Sequence, residues 1–326
     1  MKIGKIPQDI LNKCVFNLIS NKREEVLLEP SIGEDCSAIK LKDDEVFVIS
    51  TDPITGADKD MGYLGVYINT NDIASSGAEP IGVMVTILLP PSSKEEQLYN
   101  IMEQIDKACS ELNIQIMGGH TEVTDAVVKP ILSLTAIGKV KKDKLISTSG
   151  AKVGQDIIIT KWAGLEGTSI IAKDNYDELS QKLSNELLQE AISLDKYLSV
   201  IKESIIAKNY EVTSMHDITE GGVLGAIWEV ALCSNMGAQV DLDKIPIKNE
   251  TIAICNYYNI DPYKLISSGC MLMTTHRGNE LVKELKKNNI EAAVIGEITE
   301  NKDKIINVKG NKVELVEPGT DELYKI

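Results

Sequence analysis

What most constrains this chain is an alternation of short apolar runs with stretches of helical period. The run VFVIS, from Val46 to Ser50, is β-branched and reads as a strand, and so does VMVTILL from Val83 to Leu89. Between them, Leu64 to Ala78 has helical periodicity and ends near Gly77, a residue suited to a left-handed C-cap, with Pro80 barring continuation. Leu98, Ile101, Met102, Ile105, Ala108, Cys109 and Leu112 mark a second helix, opened by a capping-box pattern at Ser93 and Glu96. IQIM (114–117) and ILSLTAIGKV (131–140) add strands. The class is mixed α/β.

After Val140 the polar stretch KKDKLISTSGAKVGQ intervenes, and the strong strand DIIIT (156–160) starts the pattern again. The expectation is two domains, 1–143 and 144–326, with no sequence repeat between them. In the second, a long helical region from about Ser180 to Lys208 precedes the strand-like VTSM, a glycine-rich turn and a helix around Val223 to Leu232. CMLMTT and AAVIGEI close it as strands. At 326 residues each half can bury its own core.

Charge narrows the partners. Lys plus Arg number 34 against 49 Asp plus Glu, a net charge of −15 that repels nucleic acid and anionic lipid. A nucleotide remains compatible, because Mg²⁺ can bridge carboxylates to a triphosphate. The cysteines at 14, 36, 109, 233, 255 and 270 show no CxxC spacing, as expected of a reduced cytoplasmic protein. No apolar run reaches membrane-spanning length, and Met1 to Ile10 has no signal-like core.

Four short segments then stand out in order: Gly33-Glu34-Asp35-Cys36, Thr51-Asp52, Asn71-Asp72 and Gly118-Gly119-His120-Thr121-Glu122. Carboxylates just past strand ends meet where α/β sheets bind ligands, although a Gly-Asp or Asp-Pro turn needs no function. Asp72 shares a helix side with Ile68, Asn71 and Ser75, which aims its carboxylate at a partner or metal, or else at solvent. The paired glycines allow close backbone approach to a ligand, and His120, Thr121 and Glu122 add polar atoms. In the second half, Met215-His216-Asp217-Ile218-Thr219-Glu220-Gly221-Gly222 links a strand to a helix whose N-terminus suits an anion, or is simply a capped glycine turn. Lys161 to Thr168 is a further loop of ligand-binding composition. No GxxxxGK[ST], GxSxG or HExxH occurs.

Together with SGAKVGQDIIIT, SSGCMLM and AAVIGEIT, these segments resemble, in order and over nearly the whole chain, the aminoimidazole ribonucleotide (AIR) synthase superfamily. That PurM-like group also includes the hydrogenase maturation factor HypE, thiamine-monophosphate kinase and selenophosphate synthetase. NDIASSGAEP with HDITEGG looks nearest to HypE. The resemblance implies an N-terminal domain that dimerises around a barrel-like core with ATP along the interface, and a C-terminal α/β domain. It implies Mg²⁺-phosphate carboxylates at Asp35, Asp52 and Asp72, and a phosphate-facing loop at Gly118, Gly119 and Thr121. Thr51, Asn71 and, in an N-terminal closing segment, Lys5 would assist with the nucleotide. His120, Glu122 and Asp217 are the catalytic candidates.

Two positions depart from HypE-like sequences: His120 stands where an acid is usual, and Glu220 where an Arg is usual. The sequence given ends DELYKI, and its last cysteine is Cys270, so the terminal thiol carrier of HypE chemistry is not expected. The expected function is ATP-dependent activation of an oxygen on an unidentified acceptor, by a cytoplasmic homodimer with a possible maturation partner. The alternatives are a nucleotide-binding accessory protein without chemistry and a small-molecule kinase.

Overall fold

The computed structural model describes residues 4–5, 7–28, 37–54 and 60–326. It divides into two compact units, Met1–Ile73 with Ala78–Asp143, and Ala74–Gly77 with Lys144–Ile326.

In the first unit, strands β1 (Gly4–Lys5), β2 (Val26–Leu28), β3 (Ala38–Ile39), β4 (Glu45–Ile54), β5 (Glu79–Leu89), β6 (Gln115–Val123) and β7 (Ile131–Lys141) accompany helices α1 (Gln8–Cys14), α2 (Met61–Ser75) and α3 (Glu95–Leu112). Five strands form a mixed sheet in the order β1-β6-β5-β7-β4, parallel only between β5 and β6, while β2 and β3 pair separately. The period-2 pattern selects a buried face. Ile54, Val83, Val85, Ile87, Leu132, Leu134 and Ala136 lie inward. Helix α2 lies directly on that face: a Cβ on Gly65 would meet Leu134 Cδ1 at 2.5 Å, and one on Gly138 would meet Ile73 Cγ2 at 2.3 Å. On the other face Phe47 and Ile49 are 43% and 62% exposed, with Thr51 and Pro53 exposed beside them.

The second unit holds β8 (Asp156–Thr160), β9 (Ser214–Ile218), β10 (Gly237–Asp241), β11 (Cys270–Thr275), β12 (Ala292–Thr299), β13 (Lys304–Val308) and β14 (Asn311–Glu314). Its helices are α4 (Leu165–Asp174), α5 (Tyr176–Leu179), α6 (Asn185–Ile192), α7 (Ile201–Ala207), α8 (Gly222–Cys233), α9 (Asn249–Tyr258) and α10 (Gly278–Lys287). The seven strands run β14-β13-β10-β12-β8-β11-β9, with β10 and β13 parallel and the other pairs antiparallel. Helices α7 and α10 pack with Ile158, Met215, Met271 and Met273, and α4, α6 and α9 share a second core around Ile171, Leu188 and Ile254.

Three expectations from sequence are corrected. Thr51 and Asp52 lie inside β4, not beyond a strand end; β4 is an edge strand, which accommodates Pro53 because its missing N–H faces away from the ladder. Helix α3 begins at Glu95 with Lys94 as N-cap and no side-chain cap bond, so the Ser93–Glu96 capping box does not form. The helical region 180–208 is broken into α6, a 3-10 turn (Ser193–Tyr197) and α7. The carbonyl of Ser199 in the break accepts from the Lys161 ammonium at 2.6 Å, a tertiary bond that competes with helix continuation.

Candidate functional site

The strongest constellation in the first unit lies between β4 and α2. Ser50, Asp52 and Ile54 share the face of β4 that looks onto α2, where Asn69 and Asp72 sit one turn apart. The Ser50 hydroxyl donates to Asp72 Oδ2 at 2.5 Å, and the backbone N–H of Asp52 donates to Asn69 Oδ1 at 2.9 Å. Asn69 in turn donates to the Gly65 carbonyl at 2.9 Å, which fixes its rotamer. The half-buried Asp72 of α2 is thereby held at Ser50, and the half-buried Asp52 lies two residues farther along β4, about 7 Å of strand from Ser50. The Asp52 carboxylate takes no hydrogen bond or ion pair among the described residues, leaving hard oxygen donors available to a cation such as Mg²⁺. Asp35 lies outside the described residues, and among those described no three acidic, histidine or cysteine side chains converge as a metal cluster.

Thr51 points to the opposite, exposed face. Its hydroxyl donates to the Leu134 carbonyl at 2.9 Å and receives a bond from Thr135 Oγ1 at 3.0 Å. Asn71 is fully buried in α2.

The glycine pair is not in a loop. Gly118 and Gly119 lie within β6, beside a register irregularity at Val83/Met84 of β5. A Cβ on Gly119 would stand 1.9 Å from the Val85 carbonyl oxygen, so close strand pairing, with a φ of 152°, accounts for that glycine without a ligand; Gly118, at φ 159°, faces only the flexible end of Met84 at 3.1 Å. Farther along β6, His120 Nε2 and Glu122 Oε2 are 3.2 Å apart on the face opposite Thr121, with Lys5 of β1 in register with Glu122. In the sheet order, β5 and β7 separate β6 from β4. One copy of the sheet therefore sets the His120–Glu122 pair about 14 Å of strand spacing from Asp52 and on the opposite face, and the two halves of the expected site do not meet on it.

In the second unit, Asp217 is buried on β9, and His216 Nε2 lies 2.8 Å from Glu229 Oε2. Burial works to lower the His216 pKa, but the Glu229 hydrogen bond and the charges of Asp217 and Glu229 outweigh it, and the net shift is upward. The start of α8 is largely satisfied from within. Gly221 N donates to Asp321 Oδ2 at 2.7 Å, Gly222 N to Thr219 O at 3.1 Å and Leu224 N to Tyr263 O at 3.2 Å. The anion expected there is a side chain of the chain itself, and no local pattern marks it because Asp321 lies 100 residues away. Cys270 is equally closed to chemistry: burial pushes its thiol up to about 12, and Sγ donates to the Trp162 carbonyl at 3.0 Å.

Comparison with known proteins agrees with this architecture. The family model described as AIR synthase related protein, N-terminal domain, matches residues 33–140, and its C-terminal companion matches 152–309. The chain belongs to the AIR synthase-related family. Among its relatives is a protein of Methanocaldococcus jannaschii named for hydrogenase expression and formation, 27% identical over 91% of this chain and 88% of that one. A selenide, water dikinase of Clostridioides difficile is 25% identical over 94% of each. Among solved structures, hydrogenase maturation protein HypE in complex with ATP superposes with a TM-score of 0.78 at 19% identity, covering 98% of this chain and 97% of that one. The mixed-sheet, two-domain fold of this AIR synthase-related protein is thus the PurM-like fold. No helix among the described residues is long and apolar enough to cross a membrane.

Proposed function

We propose that this AIR synthase-related protein uses Mg-ATP to activate an oxygen of an acceptor, with the nucleotide held by the domain at 1–143. The observation that carries the reading is the β4–α2 carboxylate pair: Asp72 held by Ser50, and Asp52 half-buried with its oxygens uncommitted among the described residues. Asp52, Asp72 and, by resemblance, Asp35 would hold Mg²⁺, which supplies charge neutralisation for the phosphates when bound. The HypE structure that shares the fold was solved with ATP, which supports the nucleotide assignment.

The acceptor oxygen forms a bond to the γ-phosphorus as the bond to the β,γ-bridging oxygen breaks, and ADP leaves. His120 and Glu122, paired on an exposed strand face, are the residues available to take the acceptor proton. The exposed Phe47 and Ile49 support a homodimer through the open face of the sheet, the face that also carries His120 and Glu122, while Asp52 and Asp72 lie on the other side against α2. The domain at 144–326, with Asp217 and the α8 start, is assigned to the acceptor.

Kinase activity on a small molecule is the second reading, favoured by the relation to selenide, water dikinase. The test is ADP release on incubation with Mg-ATP and oxygen-nucleophile acceptors, comparing wild type with His120→Ala. Acceptor-dependent ADP that falls at least tenfold in the variant supports the reading. ATP binding without ADP from any acceptor would leave the protein a nucleotide-binding accessory.

A further inference from the structure

The segment 315–326 crosses the start of α8 and is anchored by a set of acidic contacts. Asp321 is 3% exposed; its Oδ2 accepts from Gly221 N at 2.7 Å and its Oδ1 from Leu323 N at 2.8 Å. Tyr324 Oη donates to Glu220 Oε1 at 2.9 Å, and Leu323 packs onto the α4–α6–α9 core. Residues Val313 to Thr320 form one wall of a cavity of about 380 Å³, whose other wall includes Gly221, Leu224, Gly225 and Tyr263.

Glu166, on the first turn of α4, lies within electrostatic reach of this anchor. It is 3% exposed, and its Oε2 has no hydrogen-bond partner. Asp321 and Tyr324 of the segment itself, Glu220 of the β9–α8 loop, Ser268 on the approach to β11 and Cys270 at the start of β11 face the cluster. The nearby cations are committed elsewhere: Lys161 to Glu203 at 2.7 Å, Lys264 to Asp261 at 4.0 Å and Lys325 to Glu322 at 2.6 Å. Two buried carboxylates, Glu166 and Asp321, therefore sit close together without a neutralising charge, with the exposed Glu220 at their rim.

We propose that residues 315–326 form a releasable latch over the α8 start and its adjoining cavity, docked while Glu166 carries a proton and loosened when Glu166 ionises. Burial raises the Glu166 carboxyl to about 7, with Ser268 opposing and the charges of Asp321 and Glu220 adding to the rise. Asp321 is raised too, chiefly by burial, against the N–H groups of Leu323, Gly221 and Ile266. The docked state thus binds more protons than the released one, and docking weakens as pH rises through neutrality. Release exposes Gly221 N–H and opens one wall of the cavity. This inference stands on the second unit alone and does not depend on nucleotide binding.

Hydrogen exchange of the full chain tests it. After correction for intrinsic rates, protection at Gly221 and Leu323 relative to β8 amides falls on the order of tenfold between about pH 5.5 and 8.5. In Glu166→Gln, which keeps the shape and removes the charge, that fall disappears. In Asp321→Asn, which removes the facing anion, it shrinks. Equal protection in wild type at both pH values, or an undiminished fall in both variants, would overturn the latch.

Discussion

Two glutamates with opposite environments decide how this protein responds to pH. Glu25 is held by Arg23 at 2.8 Å and by Lys139 at 2.5 Å, and the Arg23 hydrogen bond leads the interactions that drive its pKa far below the usual carboxylate range. A depressed folded pKa contributes stability that is present above the unfolded value of about 4.3 and lost as pH falls through the folded one. Glu25→Gln is expected to cost about 2 kcal/mol at pH 7 and much less below pH 3, read by urea denaturation at both. Glu166 behaves in reverse. Its folded pKa of about 7 lies above the unfolded value, so its penalty is absent at pH 4 and fully present above pH 8. Glu166→Gln should therefore stabilise the protein by about 3 kcal/mol at pH 8.5 and scarcely at pH 4, a difference measurable in the same experiment. Equal effects at the two pH values would show that Glu166 is not buried against its neighbours as described.

At the scale of elements, β6 separates what glycine means for folding from what it means for function. Gly119→Ala drives a methyl group into the Val85 carbonyl and should destabilise the first unit by at least 2 kcal/mol in denaturant titration; Gly118→Ala meets only Met84, though at a backbone φ of 159° that favours glycine, and should cost less than Gly119→Ala. Strands with unbroken apolar runs were legible in the sequence: DIIIT is β8 and CMLMTT is β11, residue for residue. Short edge elements such as β1, β2 and β14 were not, because two to four residues carry too little periodicity and their pairing is set by distant partners. The same limit applies to the site. Asp72 stood out in the sequence as an acid inside a helix, with a partner, a metal or solvent all open to it, and the hydroxyl that meets it, Ser50, is set by a strand 22 residues away. The Asp321 cap and the Glu166 cluster were invisible, since they join segments far apart in sequence.

At the scale of the molecule, the AIR synthase-related fold leaves one sheet face of the first unit with Phe47 and Ile49 outward, and that face is where a second copy is expected. Ile49→Asp should convert a dimer to a monomer in sedimentation without unfolding either unit, because the side chain points away from α2; a wild-type monomer would remove the dimer from the account. The account as a whole rests on nucleotide held by the β4–α2 carboxylates, and calorimetric titration of Mg-ATP into wild type and Asp52→Ala addresses that directly. The account predicts Mg²⁺-dependent binding to wild type, accompanied by about 2.7 kcal/mol of added stability at a hundredfold excess over Kd, and at least a tenfold weaker Kd for Asp52→Ala. Binding that is unchanged by Asp52→Ala or by removal of Mg²⁺, or no binding by wild type at millimolar nucleotide, would contradict it.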